Sequence, residues 1–143
     1  MNPSSSQLIT AIADALRTRI APLLADQAWP CSELRSIDAL LAHLAARVEH
    51  EHAVLLEDNA DLDAVLDELA DAGVGVDVVA PEPQTIGALH AGNVARRAAL
   101  ESAIHRIHDG THPQQVDLVR SYLVRAAERD QLIFGSFGSR ALF

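Results

Sequence analysis

Apolar residues recur every three or four positions along most of the chain, which is the spacing of one face of an α-helix. A first helix is predicted after the serines at positions 4–6, because serine caps helix N-termini well. Pro22 should kink this helix or begin a new turn. Its predicted apolar face consists of Leu8, Ile9, Ile12, Leu16, Ile20 and Leu23.

Two more helices are predicted before the middle of the chain. One covers residues 32–58, and a shorter one covers 60–72 with Asp58 or Asn59 as its cap. Gly73 suits the left-handed position that follows a helix end. The apolar faces are Leu34, Ile37, Leu41, Leu44, Val48 and Leu55 in the longer helix, and Leu62, Val65, Leu66 and Leu69 in the shorter.

The helical pattern stops at residues 73–84, which are predicted to form an acidic loop because they contain two prolines. The alternating valines that would suit a short extended piece are Val74, Val76 and Val78. A further helix is predicted over 85–108, with a start nearer Asn93 if its early glycines weaken the first half.

The last helix is predicted to begin at Thr111, because Gln114 follows three residues later and Pro113 lies between them. Glycines at 135 and 138 would then loosen the chain into an apolar C-terminal tail, residues 135–143. Four to five helices with short connections predict an all-α fold, an antiparallel four- to five-helix bundle. A chain of 143 residues fits one domain, 1–143.

Composition narrows the class of protein. Apolar residues make up 49% of the chain but aromatic residues only 3%, so the core should be aliphatic. No apolar run reaches the ~18 residues that span a bilayer, and the N-terminus lacks the basic region of a secretion signal. The single cysteine, Cys31, allows no internal disulfide. These features predict a cytoplasmic protein.

The net charge of −9 is unevenly distributed. No arginine lies between Val48 and Ala95, a stretch that contains eleven acidic residues, whereas seven arginines follow from Arg96 onward. Such an acidic segment repels nucleic acids and anionic membranes, so neither is an expected partner. The simplest interpretation of the acidic run is a solvated helix face.

The stretch EHEH at 49–52 resembles a metal or acid–base site, but the side chains of His50 and His52 point 200° apart on a helix. His52 lies in phase with the apolar face. Asp130 likewise falls within the apolar face of the last helix, where a carboxylate needs a partner. We therefore predict a polar cluster of His52, Asp130 and either Arg97 or Asn93, which serves as a structural network or lines a functional pocket.

A second candidate lies on the fourth predicted helix, where Glu101, His105 and His108 share one side. Two histidines and a carboxylate in this arrangement could bind zinc or iron. Histidines in the last helical turn also suit the helix dipole without any metal. No phosphate-binding loop, dinucleotide fingerprint or nucleophile elbow is present, so no catalytic residue and no cofactor is predicted.

The segments LAHLAARVEHEHAVLLED and YLVRAAERDQLIFGSF resemble the helices of hemerythrin-like di-iron bundles. No histidine in them is followed by glutamate at the fourth position. This resemblance implies a helical bundle, with a metal or a small molecule bound in its core as the alternative function.

A second resemblance covers more of the chain, through SQLITAIADALRTRIAPLL, LRSIDALLAHLAARVEHE and ESAIHRIHDGTHPQQVDLVRSYLVRAAERDQLIF. These segments are similar in order and pattern to a family of small all-helical bacterial proteins. That family is encoded beside acyl-CoA dehydrogenases and kinases of the aminoglycoside-phosphotransferase fold, and one branch assists a kinase acting on 4-hydroxyacyl-CoA. The turn IHDG at 107–110 and the apolar end match its closing pieces.

This resemblance implies a non-catalytic accessory or scaffolding subunit of a phosphotransferase-type kinase in hydroxyacyl-CoA catabolism. The expected partner is a kinase-like subunit, bound in part through the apolar tail 135–143. A structural homodimer is the remaining alternative.

Overall fold

The computed structural model describes residues 3–81, 83–108 and 113–138, without the side chains of 108, 113 and 134–138. These residues are all-α: they contain four α-helices and no strand. None of the helices described is both long enough and apolar enough to cross a membrane.

The first helix, α1, covers Ser5–Ala15 and begins at the serine cap that the sequence predicts. Ser4 accepts from the backbone N–H of Gln7 at 3.2 Å, and the Gln7 side chain accepts from the backbone N–H of Ser4 at 2.8 Å. A π-helical turn at Leu16–Ile20 and a 3-10 turn at Ala21–Leu24 follow. Proline has no N–H to donate, so the regular α-helical ladder cannot continue through position 22.

The second helix, α2, runs without interruption over Ala28–Asp71. The two helices predicted at 32–58 and 60–72 are therefore one helix of 44 residues. Asp58 and Asn59 were expected to cap a new helix, but both are buried in the middle of α2. Their side chains bind groups on other helices, so nothing interrupts the backbone there.

Gly73 ends α2 as the sequence predicts, with a φ of 81°. The N–H of Gly73 donates to Ala70 O at 2.9 Å, and the N–H of Val74 donates to Leu69 O at 3.0 Å. These two bonds form a Schellman motif. Val74 and Leu69 are both buried, which gives the apolar contact that accompanies this motif.

The segment between α2 and α3 has no regular structure in its described residues. Val76 and Val79 pack against the core, whereas Val78 is 97% exposed. The described residues of this segment therefore form the loop that the two prolines predict.

The third helix, α3, covers Ile86–His108 and starts close to the earlier of the two predicted positions. Thr85 caps it, because its hydroxyl accepts from the N–H of Ala88 at 3.4 Å. The fourth helix, α4, covers Pro113–Gly138 and continues through the glycine at 135, where a loose tail was predicted. The predicted cap Thr111 and residues 139–143 lie outside the described residues.

The chain divides into two compact units. Unit 1 comprises Met1–Glu51 with Asp130–Phe143, and unit 2 comprises His52–Arg129. Unit 2 has a continuous aliphatic core with one tyrosine. Its buried members are Leu62, Val65, Leu66, Leu69, Val74, Ala99, Leu100, Ala103, Ile107, Val119, Tyr122 and Ala126.

Within unit 2, α2 and α3 run in the same direction. At one end, the ring nitrogen Nε2 of His52 lies 3.1 Å from the carbonyl oxygen of Gln84, just before α3. At the other end, Arg106 of α3 donates to the carbonyl oxygen of Gly75, just after α2. The connecting segment therefore returns along the length of unit 2. This parallel pair departs from the antiparallel order predicted for successive helices.

In unit 1, most of the apolar faces predicted to be buried are exposed. Of its described large apolar side chains, the ones with substantial exposure are Leu8, Ile12, Ile20, Leu23, Trp29, Ile37, Leu40, Leu44, Val48 and Leu132. Arg17 joins α1 to α2 by donating to Asp38 at 2.7 Å. Helical phase alone therefore did not tell which apolar faces are buried within the chain.

Two glycine substitutions test whether Gly73 is left-handed and Gly87 helical. Gly73→Ala should destabilise the protein by about 1–2 kcal/mol, because a Cβ is disfavoured in the left-handed conformation. No atom lies within 4 Å of the added methyl, so steric contact contributes nothing. Gly87→Ala, which is also free of contacts, lies in the first turn of α3 and should stabilise by roughly 0.5 kcal/mol. Urea unfolding measures both values, and equal effects of one sign would contradict the assignment.

Candidate functional site

The buried positions of unit 2 follow the alternating three- and four-residue spacing of a coiled coil. They include Leu55, Asp58, Leu62, Val65 and Leu69 in α2, Asn93, Arg96, Leu100, Ala103 and Ile107 in α3, and Val119, Tyr122, Ala126 and Arg129 in α4. Most are apolar, but each helix also contributes a polar or charged residue. Asn93 of α3 and both Tyr122 and Arg129 of α4 meet around one carboxylate of α2, Asp58.

Asp58 is 3% exposed and accepts hydrogen bonds from two other helices. From α3, Asn93 donates to its Oδ2 at 2.7 Å and Arg97 at 2.9 Å. From α4, Arg129 donates to Oδ1 at 2.7 Å and the Tyr122 hydroxyl at 3.2 Å. A single buried carboxylate thus connects all three helices of unit 2.

Asn59 extends this set of contacts toward the start of α3. Its Nδ2 donates to the carbonyl oxygen of Leu89 at 3.0 Å, and its Oδ1 accepts from Asn93 Nδ2 at 2.9 Å. We call Asp58, Asn59, Asn93, Arg97, Tyr122 and Arg129 the Asp58 network. Asn93 uses one amide nitrogen to bind both acceptors, Asp58 and Asn59.

Two bidentate ion pairs flank the network. Arg96, itself buried, donates to both oxygens of Asp63 at 2.7 and 3.0 Å. Arg125 donates to both oxygens of Asp61 at 3.0 and 2.6 Å. Asp61 also accepts from Arg129 at 2.8 Å, which connects this pair to the network. Parallel donors of this kind fix the orientation of both partners.

The environment sets the protonation states of the network. Burial by itself raises the pKa of Asp58, but hydrogen bonds from Asn93, Arg129 and Arg97 outweigh it and the pKa is lowered. The pKa of Asp61 is lowered chiefly by its hydrogen bond to Arg125. Burial, reinforced by the negative charge of Asp58, raises the pKa of Tyr122 to about 12.

At neutral pH these shifts keep the carboxylates charged and the tyrosine protonated. A general acid or base works best with a pKa near the operating pH, and all three groups are moved away from it. The arrangement is therefore suited to holding helices together rather than to transferring protons. Within the Asp58 network, the buried Nε of Arg129 has no hydrogen-bond partner among the described residues.

The structure brings together only part of the polar cluster predicted from the sequence. Asn93 and Arg97 both join the network, but the carboxylate they bind is Asp58. Asp130 is half-buried and belongs to unit 1. His52 is exposed, and its ring contacts the carbonyl oxygen of Gln84. Within unit 2, Asn93 and Arg97 thus bind a carboxylate that the sequence analysis did not select, Asp58.

Two of the three metal ligands predicted on α3 have described side chains. Glu101 and His105 are both exposed on α3, and the side chain of His108 lies outside the described residues. Within the part of the chain that the structure describes, no three histidine, cysteine, aspartate or glutamate side chains are grouped to hold a metal ion.

Unit 1 contains an open polar cleft of about 700 Å³ between α1 and the first half of α2. Asp14 lines it from α1, and Glu49 and His50 line it from α2. Half of the EHEH stretch therefore faces this cleft, where His50 is half-buried.

Sequence reasoning missed the central members of the network, Asp58, Tyr122 and Arg129. A usable signal was present, because Asp58 lies three residues after Leu55 and four before Leu62, in phase with the apolar face. The separation of acidic and basic segments was a second signal. Acids at 58, 61 and 63 form ion pairs with arginines from 96 onward, although the side chain of Asp63 stays 49% exposed.

Comparison of the chain with families of known proteins, with curated proteins and with solved structures found no match.

Removing the central carboxylate tests the role of the network. Asp58→Ala should destabilise the protein by about 3–5 kcal/mol, because it leaves buried guanidinium and amide donors without an acceptor. Asp117→Ala on α4 is the matched control, since the Asp117 side chain is 76% exposed, and it should change stability by less than ~0.5 kcal/mol. Denaturant unfolding followed by circular dichroism measures both. Similar small losses would show that the buried carboxylate has no special role.

The single tyrosine of the chain offers a direct titration. Because its pKa rises from 10.0 to about 12 on folding, tyrosinate absorbance should stay low until the pH approaches 12. The raised pKa also stabilises the fold fully below pH 10, and that contribution disappears as the pH rises from 10.0 toward about 12. Tyr122→Phe should lack this alkaline loss and cost about 1 kcal/mol at neutral pH. A midpoint near 10 in folded protein would contradict the burial of the hydroxyl.

Proposed function

We propose that this protein is a non-catalytic accessory or scaffolding subunit that acts by binding another protein. The observation that carries the proposal is the exposure of two large apolar side chains near the turn between α1 and α2. Leu23 is 75% exposed and Trp29 is 74% exposed. Trp29 is the only tryptophan in the chain.

Exposed tryptophan has a specific significance for protein binding. Tryptophan is enriched among the few residues that contribute most of the binding energy at interfaces, and leucine beside it extends the apolar contact. The Asp58 network supports the same function, because it stabilises unit 2 without a group whose pKa suits proton transfer.

For the partner, we propose a kinase-like subunit of the phosphotransferase type that acts in hydroxyacyl-CoA catabolism in the cytoplasm. The resemblance of three segments to accessory proteins encoded beside such kinases supports this choice. The apolar tail predicted at 135–143 is a second proposed contact, of which 139–143 lie outside the described residues. For the whole chain we propose a helical bundle in which α4 runs antiparallel to α2, as the pairs Asp61–Arg125 and Asp58–Arg129 suggest.

Binding of a kinase encoded by a neighbouring gene tests the proposal. The full chain should bind it, and Leu23→Ser with Trp29→Ala should weaken binding by about 100-fold, as expected for an interface hot spot. Isothermal titration calorimetry measures the affinity. Val78→Ser is the matched control, because Val78 is a 97% exposed apolar residue of unit 2.

The outcomes distinguish an error in the proposed binding surface from an error in the proposed partner. Equal binding by parent and double variant would exclude the Leu23–Trp29 surface. A kinase that does not bind the parent chain would exclude that partner. A chain ending at Gly138 tests the tail and should bind more weakly if residues 139–143 contribute.

A further inference from the structure

The apolar repeat of α2 extends beyond the half of the helix that unit 2 covers. The same alternation of three- and four-residue steps that places Leu55, Leu62 and Leu69 in the core of unit 2 continues backward through the first half of α2. There it consists of Leu34, Ile37, Leu41, Leu44 and Val48, with Leu40 beside it. We call these six residues the α2 seam.

In unit 1 the α2 seam is largely uncovered. Ile37 is 43% exposed, Leu44 and Val48 are 47% exposed, and Leu40 is 61% exposed. A seam of this spacing buries its residues against the same kind of seam on another helix. We propose that the α2 seam binds the α2 seam of a second copy of this chain, with the two helices antiparallel and centred near Leu40 and Leu41.

The apolar positions are self-complementary in this orientation. When two identical helices run antiparallel about a two-fold axis between Leu40 and Leu41, Ile37 of one chain lies level with Leu44 of the other. Leu34 and Val48 of the two chains then lie within one residue of the same level, and Leu40 lies level with Leu41 of the other chain. A two-fold axis therefore passes through the interface, and each chain contributes the same surface, as in most homodimers.

The charged residues beside the seam select the antiparallel orientation. In the heptad of the seam, Glu33 and Arg47 occupy equivalent flanking positions on either side of Leu40. An antiparallel pair brings Glu33 of each chain next to Arg47 of the other, which gives two ion pairs of opposite charge. A parallel pair would instead bring Glu33 next to Asp38 of the other chain, which repels.

Both flanking residues are placed for such contacts. Glu33 is exposed, and Arg47 retains 40% side-chain exposure while it binds Glu51 within its own chain. A guanidinium has five N–H donors, so Arg47 can donate to Glu51 of its own chain and also to a carboxylate of the second chain.

The length of the α2 seam matches that of a second copy of itself. The seam from 34 to 48 is roughly 21 Å long at 1.5 Å per residue, and apolar side chains at 29 and 30 lengthen it. A second copy offers a surface of equal length and matching spacing.

Self-association of the purified chain tests the proposal without any kinase, so its outcome is independent of the proposed function. Analytical ultracentrifugation should give twice the 15.3 kDa mass of one chain at micromolar concentration. Leu44→Glu should weaken the dimer by about 100-fold, since a two-fold axis places the change in the interface twice. Val124→Glu is the matched control, because Val124 is a 55% exposed valine on α4, and it should leave the mass unchanged.

A charge exchange tests the orientation. Glu33→Arg alone and Arg47→Glu alone should each weaken the dimer, because like charges then face each other in both pairs. The double variant Glu33→Arg with Arg47→Glu should recover at least ~10-fold in affinity relative to either single variant. Circular dichroism confirms that each variant is folded.

Three results would overturn the proposal. The parent chain could sediment as a monomer at all concentrations. This result would count against the proposal even if a chain without residues 139–143 formed a dimer. Leu44→Glu and Val124→Glu could dimerise equally well. The double charge exchange could be weaker than both single variants, which would exclude the antiparallel pair.

Discussion

A buried carboxylate that lacks partners is one of the most expensive features a protein interior can contain, and unit 2 is built around satisfying one. Asp58 is surrounded by donors from α3 and α4, so the helices can pack only where Asn93, Arg97, Tyr122 and Arg129 all reach it. An aliphatic face alone tolerates sliding by one helical turn with little penalty. The Asp58 network does not, because any slip leaves a charge unpaired in the interior.

This constraint explains the connectivity of unit 2. The α2 helix must continue past Asp58 and Asn59 so that both side chains can reach α3, and it ends only where Gly73 permits a left-handed residue. The following segment then returns along the unit, so that α3 begins near His52 and presents Asn93 opposite Asp58. Replacing a buried ion pair by apolar residues is often neutral for stability, so we infer that the main effect of this network is to select one register of the helices.

The first half of α2 carries the same apolar repeat, but unit 1 leaves much of it uncovered. Exposed residues such as Leu40, Leu44 and Trp29 are consistent with a chain whose surface is completed by association. Binding of a second copy through the seam and binding of a partner through Leu23 and Trp29 use different residues. One protein can therefore both self-associate and present a docking surface.

The sequence by itself determined the local structure of this protein. The serine cap at position 4 set where α1 begins, and Gly73 set where α2 ends. The apolar periodicity showed which face of each helix is apolar. These effects act within a few residues, so they can be inferred from the sequence. The sequence also revealed Asn93 and Arg97 as polar residues within or beside an apolar face. Only the tertiary structure decided which carboxylate they bind, because Asp58 lies 35 residues from Asn93 and 71 from Arg129. It also decided which half of the α2 repeat is buried, since the pattern is the same in both halves and only the presence of neighbouring helices differs.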